Sequence, residues 1–164
     1  MVTNKDLQIN LVSRKYPKNI QDLIKRFRRP YPTDIEYIRR LDKEYDIIRD
    51  KGFVDTFQRV SDIIDLIKQK NIPHVLRGSA ASSLVCYQLG ISDIDPIKEK
   101  IPLTRFMNLC RDTQPDVDLD VPHWIRDLLI EEFHEKHPNK VARISNKVMY
   151  KPKSAMREAI RKFG

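Results

Sequence analysis

The chain has 164 residues, 40% hydrophobic and 33% charged, with 31 basic against 23 acidic residues and a net charge of +8. That length suits one domain with a core of its own, and the composition is neither that of a disordered chain nor membrane-like. No apolar stretch approaches a transmembrane span, Met1 to Asn10 lacks a signal-peptide core, and Cys86 and Cys110 form no CxxC pair, so a cytoplasmic protein with reduced thiols is expected.

In chain order, residues 1–30 are a basic, Pro-punctuated lead, read either as a helix around Ile20 to Phe27 or as a mobile arm. Thr33-Asp34-Ile35-Glu36 reads as a capping box with Thr33 as N-cap, opening a helix with the stripe Ile35, Ile38, Leu41, Tyr45 and Ile48, which Gly52 ends. A second helix turns Phe57, Val60, Ile64 and Ile67 inward and stops before Pro73. Ile72 to Leu76 then suits a strand, and Ala80 to Gly90 a helix closed by Gly90 as its C′ residue. Between them lies Arg77-Gly78-Ser79. With Ser79 as N-cap, this strand, glycine turn and helix N-terminus would form an anion site, since free N–H groups and the positive dipole end point at a ligand there. Arg77 would add a charge-assisted contact. Alone the motif is weak, because Gly-Ser before a helix is commonly just a cap and no Walker-type sequence is present.

Asp116-Val117-Asp118-Leu119-Asp120-Val121 alternates carboxylates with aliphatic residues. As a strand it presents three anions on one face and three apolar side chains on the other, with successive carboxylates roughly 7 Å apart. A hard divalent cation relieves such a face, and Mg²⁺ accepts carboxylates while leaving positions for substrate phosphates. An EF-hand loop would need Gly where Val121 stands and Glu where Asp127 stands, which argues against calcium. A solvated edge strand usually mixes its charges or uses Lys, and so fits less well than a metal site.

Beyond the aspartates, Pro122 leads a helix expected to turn Ile125, Leu128, Leu129 and Phe133 inward and to end near Pro138. Val141 to Ser145 reads as another strand, and Ser154 to Phe163 as a final helix with Lys153 and Arg157 one turn apart. His134 and His137 have ligand spacing, but without a suitable third and fourth ligand zinc is not expected. Trp124 and Tyr87 lie on apolar stripes, which favours core packing over base stacking. Charge is segregated: Arg14 to Arg29 carries seven basic residues against Asp22, Lys147 to Lys162 six against Glu158, and Asp112 to Glu135 eight acids against Arg126. Two basic blocks around an acidic strand point to nucleic acid or a nucleoside triphosphate.

Several ordered motifs then resemble one family. Arg77-Gly78-Ser79-Ala80-Ala81, Leu84-Val85, Leu89-Gly90-Ile91-Ser92-Asp93-Ile94-Asp95-Pro96, Arg105-Phe106-Met107-Asn108 and Pro115-Asp116-Val117-Asp118-Leu119-Asp120 resemble the palm of bacterial C-family replicative DNA polymerases, the DNA polymerase III alpha subunit, in its N-terminal part. Glu44-Tyr45-Asp46-Ile47-Ile48 with Gly52-Phe53 fits the segment before that palm, and Lys153-Ser154-Ala155-Met156-Arg157-Glu158 the family's later basic helix. The likeness runs from about Tyr31 to the C-terminus, giving residues 1–30 as a lead and 31–164 as palm-like. It implies a helix-rich α/β (α+β) fold with a small mixed sheet, an incomplete polymerase-beta-like nucleotidyltransferase palm.

Carried over by motif, Asp116 and Asp118 bind the two catalytic metals, Mg²⁺ or Mn²⁺, with Asp120 in support. Gly78 and Ser79 hold the triphosphate of a deoxynucleoside triphosphate, with Arg77, Lys153 and Arg157 as further phosphate contacts. His74-Val75-Leu76 departs from the family's Gly-Pro-Gly approach to the turn. The family also takes a third metal carboxylate from a later strand, for which Asp127, Glu131, Glu132, Glu135 and Glu158, all on expected helices, are no substitute. Two functions remain open. One is part of a DNA polymerase that acts on DNA and needs another polymerase segment or replisome subunit. The other is an inactive palm-like module that binds nucleotide or nucleic acid, or modulates a replicase.

Overall fold

The computed structural model describes residues 16–110, 113–144 and 149–163. These fall into two compact units, within Met1–His123 and Trp124–Gly164. The first contains α1 (Lys18–Lys25), α2 (Ile35–Asp50), α3 (Val54–Gln69), β1 (Val75–Arg77), a 3₁₀ turn (Gly78–Ser82), the short α4 (Leu84–Gln88), a second 3₁₀ turn (Leu103–Arg105) and β2 (Asp118–Asp120). Helix α5 (His123–Lys136) begins at its edge, and α6 (Pro152–Phe163) lies in the second unit.

Helical periodicity accounts for the core of the first unit. Leu41, Tyr45 and Ile48 of α2 meet Phe57 and Ile64 of α3, Leu84, Val85 and Cys86 of α4, and Phe106 and Met107. The basic lead adds Ile20, Leu23, Ile24 and Phe27 to the same cluster, all at most 4% exposed. Each such side chain contributes about 1.5–3 kcal/mol through burial. An edge-to-face pair of Phe57 and Phe106, with ring centroids 6.2 Å apart, adds orientation. Gly52, at φ +68°, ends α2 as expected, with the Phe53 N–H donating to the Ile48 carbonyl.

Several local expectations shift. The N-cap of α2 is Asp34, which accepts from the Glu36 N–H at 2.7 Å, rather than Thr33; a carboxylate is the stronger acceptor beside the positive helix end. Ile72 lies outside the strand because its N–H closes the end of α3 on the Ile67 carbonyl. The mixed sheet of the sequence reading is, among the described residues, a single antiparallel pair. Val141–Ile144 forms no strand, and Ile144 is 96% exposed; an isolated alternating run has no edge to pair with. Ser145 lies outside the described residues.

In the second unit only Leu129 is buried among the described hydrophobic residues. Leu128, expected inward, is 60% exposed, and Trp124, expected in the core, is 71% exposed. A unit this small buries a limited share of its surface. No helix of the described residues is long and apolar enough to cross a membrane.

Candidate nucleotide and metal site

The two motifs singled out in the sequence are neighbours. β1 pairs antiparallel with β2, setting Val75 opposite Asp120, Leu76 opposite Leu119 and Arg77 opposite Asp118. Strand alternation then sorts the side chains. Asp116, Asp118 and Asp120 are exposed, while Val117 and Leu119 pack against the core. The regular strand is three residues long, so Asp116 precedes it rather than sharing it.

Gly78 follows β1 at φ +81°, and a Cβ there would lie 3.1 Å from the Asp118 carboxylate. Both the left-handed backbone and the close approach therefore require glycine. Arg77 places its Nε 3.1 Å from Asp120 Oδ2, so the guanidinium assigned to phosphate lies on the third aspartate. That pair is solvent-exposed and contributes about 0–1 kcal/mol, which leaves it easily exchanged.

Ser79 is not the N-cap of the α-helix. Residues Gly78–Ser82 form a 3₁₀ turn, and the cap of α4 is Ser83, whose Oγ accepts from the Cys86 N–H at 3.1 Å. Ser79 instead accepts a hydrogen bond from Ser82 Oγ at 2.8 Å through its carbonyl. The first free N–H groups of α4 are already used. Leu84 and Val85 donate to the carboxylate of Glu44, at 2.8 and 3.0 Å. The helix end that sequence reasoning offered to a phosphate thus holds an internal anion, and the exposed part of the turn is Gly78 with its neighbours.

Glu44 is the residue that the reading by spacing passed over. It is fully buried on α2, and its carboxylate also accepts from Ser83 Oγ at 2.7 Å and Arg40 Nε at 2.8 Å. Burial pushes its pKa up, while Ser83, the two backbone N–H groups and Arg40 pull it back. The available signal was a carboxylate inside an apolar stripe, between Leu41 and Tyr45, with an arginine four residues earlier.

The opposite end of α4 meets cations. Arg28 Nε and Lys68 Nζ donate to the Leu89 and Gly90 carbonyls, each at 2.8 Å, and Arg29 donates to the Tyr87 carbonyl. An anion at the N-terminus and cations at the C-terminus both match the helix dipole. Arg29 also stacks 3.9 Å over the half-buried Tyr87 ring. Lys25, Arg26, Arg28 and Arg29 form ion pairs with Asp22, Asp62, Asp65 and Asp93. Much of the first basic block is therefore engaged within the molecule.

Lys153 and Arg157 lie exposed on α6, one turn apart, in the second unit. Among the described residues no group of three or more His, Cys, Asp or Glu side chains is arranged to hold a metal.

Known proteins resemble this chain over most of its length. Residues 10–164 match the model of the bacterial DNA polymerase III alpha NTPase domain. The DNA polymerase III subunit alpha of Ureaplasma parvum is 44% identical over 132 residues, covering 78% of this chain and 13% of that protein. An error-prone DNA polymerase of Cutibacterium acnes is 36% identical over 126 residues, 76% of this chain and 11% of that protein. Another, from Bdellovibrio bacteriovorus, is 32% identical over 137 residues, 82% of this chain and 13% of that protein. The chain thus spans 11–13% of the length of these relatives. With the match extending across the glycine turn, the aspartate strand and the basic helix, the chain belongs to the family of the bacterial DNA polymerase III alpha NTPase domain.

Proposed function

We propose that this chain is a segment of a replicative DNA polymerase palm that binds Mg²⁺ and the triphosphate of an incoming deoxynucleotide beside DNA. The observation that carries the reading is the β1–β2 register, which sets Gly78 against Asp118. A phosphate binder and a metal carboxylate have to be neighbours if one metal is to bridge protein and nucleotide. Asp116 and Asp118 hold the metal, and Asp120 contributes negative potential. When bound, the metal lowers the pKa of a primer hydroxyl and shields the triphosphate charge.

The chain's own groups do the positioning. Gly78 lets the backbone approach the phosphate without a side chain in the way, and Ser79 lines the same turn. Arg77 exchanges Asp120 for phosphate. A phosphate matches the guanidinium fork and carries more charge than one carboxylate, which favours the exchange. Lys153 and Arg157 present two further cations to a polyanion. Thermal melts with and without Mg²⁺ test the metal assignment. The wild-type melting temperature is expected to rise with metal, because a ligand that binds the folded state stabilises it. The double variant Asp116→Asn with Asp118→Asn is expected to lose that response. An undiminished rise in the double variant would place the metal elsewhere.

A further inference from the structure

We propose that Arg40 and Glu44 are positioning residues for the nucleotide-binding turn, an inference that rests on the reading of Gly78 and Ser79 as phosphate contacts. The pair grips four consecutive residues at the exit of the turn. Arg40 Nη2 donates to the Ser82 carbonyl at 2.5 Å. Glu44 receives the Ser83 hydroxyl and the N–H groups of Leu84 and Val85. The two side chains are themselves joined, Nε to Oε1, at 2.8 Å. From there one contact reaches the phosphate side, since Ser82 Oγ donates to the carbonyl of Ser79. Arg40 also donates to the Ile101 carbonyl at 3.3 Å, fixing the segment that leads to the second 3₁₀ turn.

Each Glu44 oxygen accepts two hydrogen bonds, so the carboxylate leaves no donor around it unsatisfied. That matters because α4 is only five residues long and has little intrinsic stability. Its entry angle, and with it the shape of Gly78–Ser82, is set by the buried ion pair rather than by helix propensity. A strand-to-helix turn needs such support to hold backbone groups in place for a ligand.

The test uses the whole 164-residue chain and the variant Glu44→Gln, which keeps the side-chain shape but presents an amide NH₂ where an acceptor is needed. Triphosphate affinity is measured by titrating dATP with Mg²⁺ well below the melting temperature, with Mg²⁺-alone melts and amide hydrogen exchange in parallel. The expected result is an affinity loss of about tenfold or more, as for other outer-sphere partners. Exchange should quicken at residues 78–85, and the Mg²⁺-induced rise in melting temperature should persist, since the aspartate face is untouched. Arg40→Lys keeps a charge beside Glu44 but loses the fork, and should give a smaller loss of the same kind if Glu44→Gln fails to fold. Wild-type affinity and exchange in a folded variant would reduce the pair to a core ion pair and overturn the proposal. Absence of triphosphate binding by the wild-type chain would instead overturn the underlying reading of the turn, and with it the pair's role toward nucleotide.

Discussion

The two sides of the Gly78–Ser82 turn are built on opposite principles. Behind it, Arg40, Glu44 and Ser83 form a polar network in which Glu44 is fully buried and every carboxylate lone pair is used. In front of it, Arg77, Asp118 and Asp120 stand in solvent, with one ion pair at 3.1 Å. Charges in the first place fix the fold, because an uncompensated buried charge is costly. Charges in the second are weakly committed and remain available to a ligand. On the proposed reading, stability and binding fall to different residues on the two sides of the turn.

The most severe way to break this contrast is Glu44→Ala. It strips Arg40 of its partner and orphans two backbone N–H groups, and about 3–5 kcal/mol of stability should be lost. Asp118→Asn, by comparison, should change stability by within about 0.5 kcal/mol, as for an ordinary surface substitution. Urea denaturation of both variants measures the difference. Comparable losses would mean that the front face is structural too.

The front face should show its effect in binding. Arg77→Ala should weaken deoxynucleotide affinity by about 1.5–3 kcal/mol, the range for a charge-assisted hydrogen bond. Its melting temperature should scarcely move. Isothermal titration beside a melt reads both quantities, and unchanged affinity would leave Arg77 as no more than a counter-charge for Asp120.

The cap can be located by a smaller effect. Ser83→Ala should cost about 0.5–2 kcal/mol through the lost N-cap, with a further loss from the hydrogen bond that Ser83 Oγ gives to Glu44. Ser79→Ala should cost less, because Ser79 accepts from Ser82 Oγ through its backbone carbonyl, which alanine retains. The opposite order would restore Ser79 to the helix end.

These residues also show what was readable in advance. Period-2 alternation at Val117 to Asp120 and period-3.6 stripes in α2 and α3 were decisive, because each follows from one element's contact with one core. The adjacency of Gly78 and Asp118 rested on resemblance, since nothing local relates two segments some forty residues apart. Glu44 was hidden for the same reason. Its four donors come partly from residues about forty positions away, and a single carboxylate in an apolar stripe does not announce them. The expectation for Ser79 failed because a 3₁₀ turn intervenes before the helix, a difference of one hydrogen-bond register that composition does not encode. In α5, helical spacing identified the element but not its exposure, which depends on what packs against it.

Acidity gives a further probe of the buried side. Glu44 has a folded-state pKa above its ordinary value of 4.5, with burial as the leading cause. A raised folded pKa means that the folded state holds the proton more tightly than the unfolded chain. The proton-linked part of its contribution to stability is therefore complete below about 4.5 and is lost as pH rises through the folded value. Urea midpoints measured against pH should show wild type losing stability relative to Glu44→Gln over that window. A relative gain for wild type would show that the four hydrogen bonds outweigh burial.

The gentlest probe is the chemistry of the two thiols. Cys86 is fully buried beside Ser83, and burial pushes its pKa up to about 12. Cys110 is exposed. Since the thiolate is the reactive form, a disulfide reagent at pH 8 should label one thiol in the native chain and two after unfolding. Labelling Cys110 should leave the melting temperature unchanged, as a surface modification away from packed contacts. Rapid native reaction at Cys86 would require α4 to open readily from the core. That would contradict a rigid support behind the turn more directly than any change in affinity, because Cys86 donates its own N–H to the cap on which Glu44 closes.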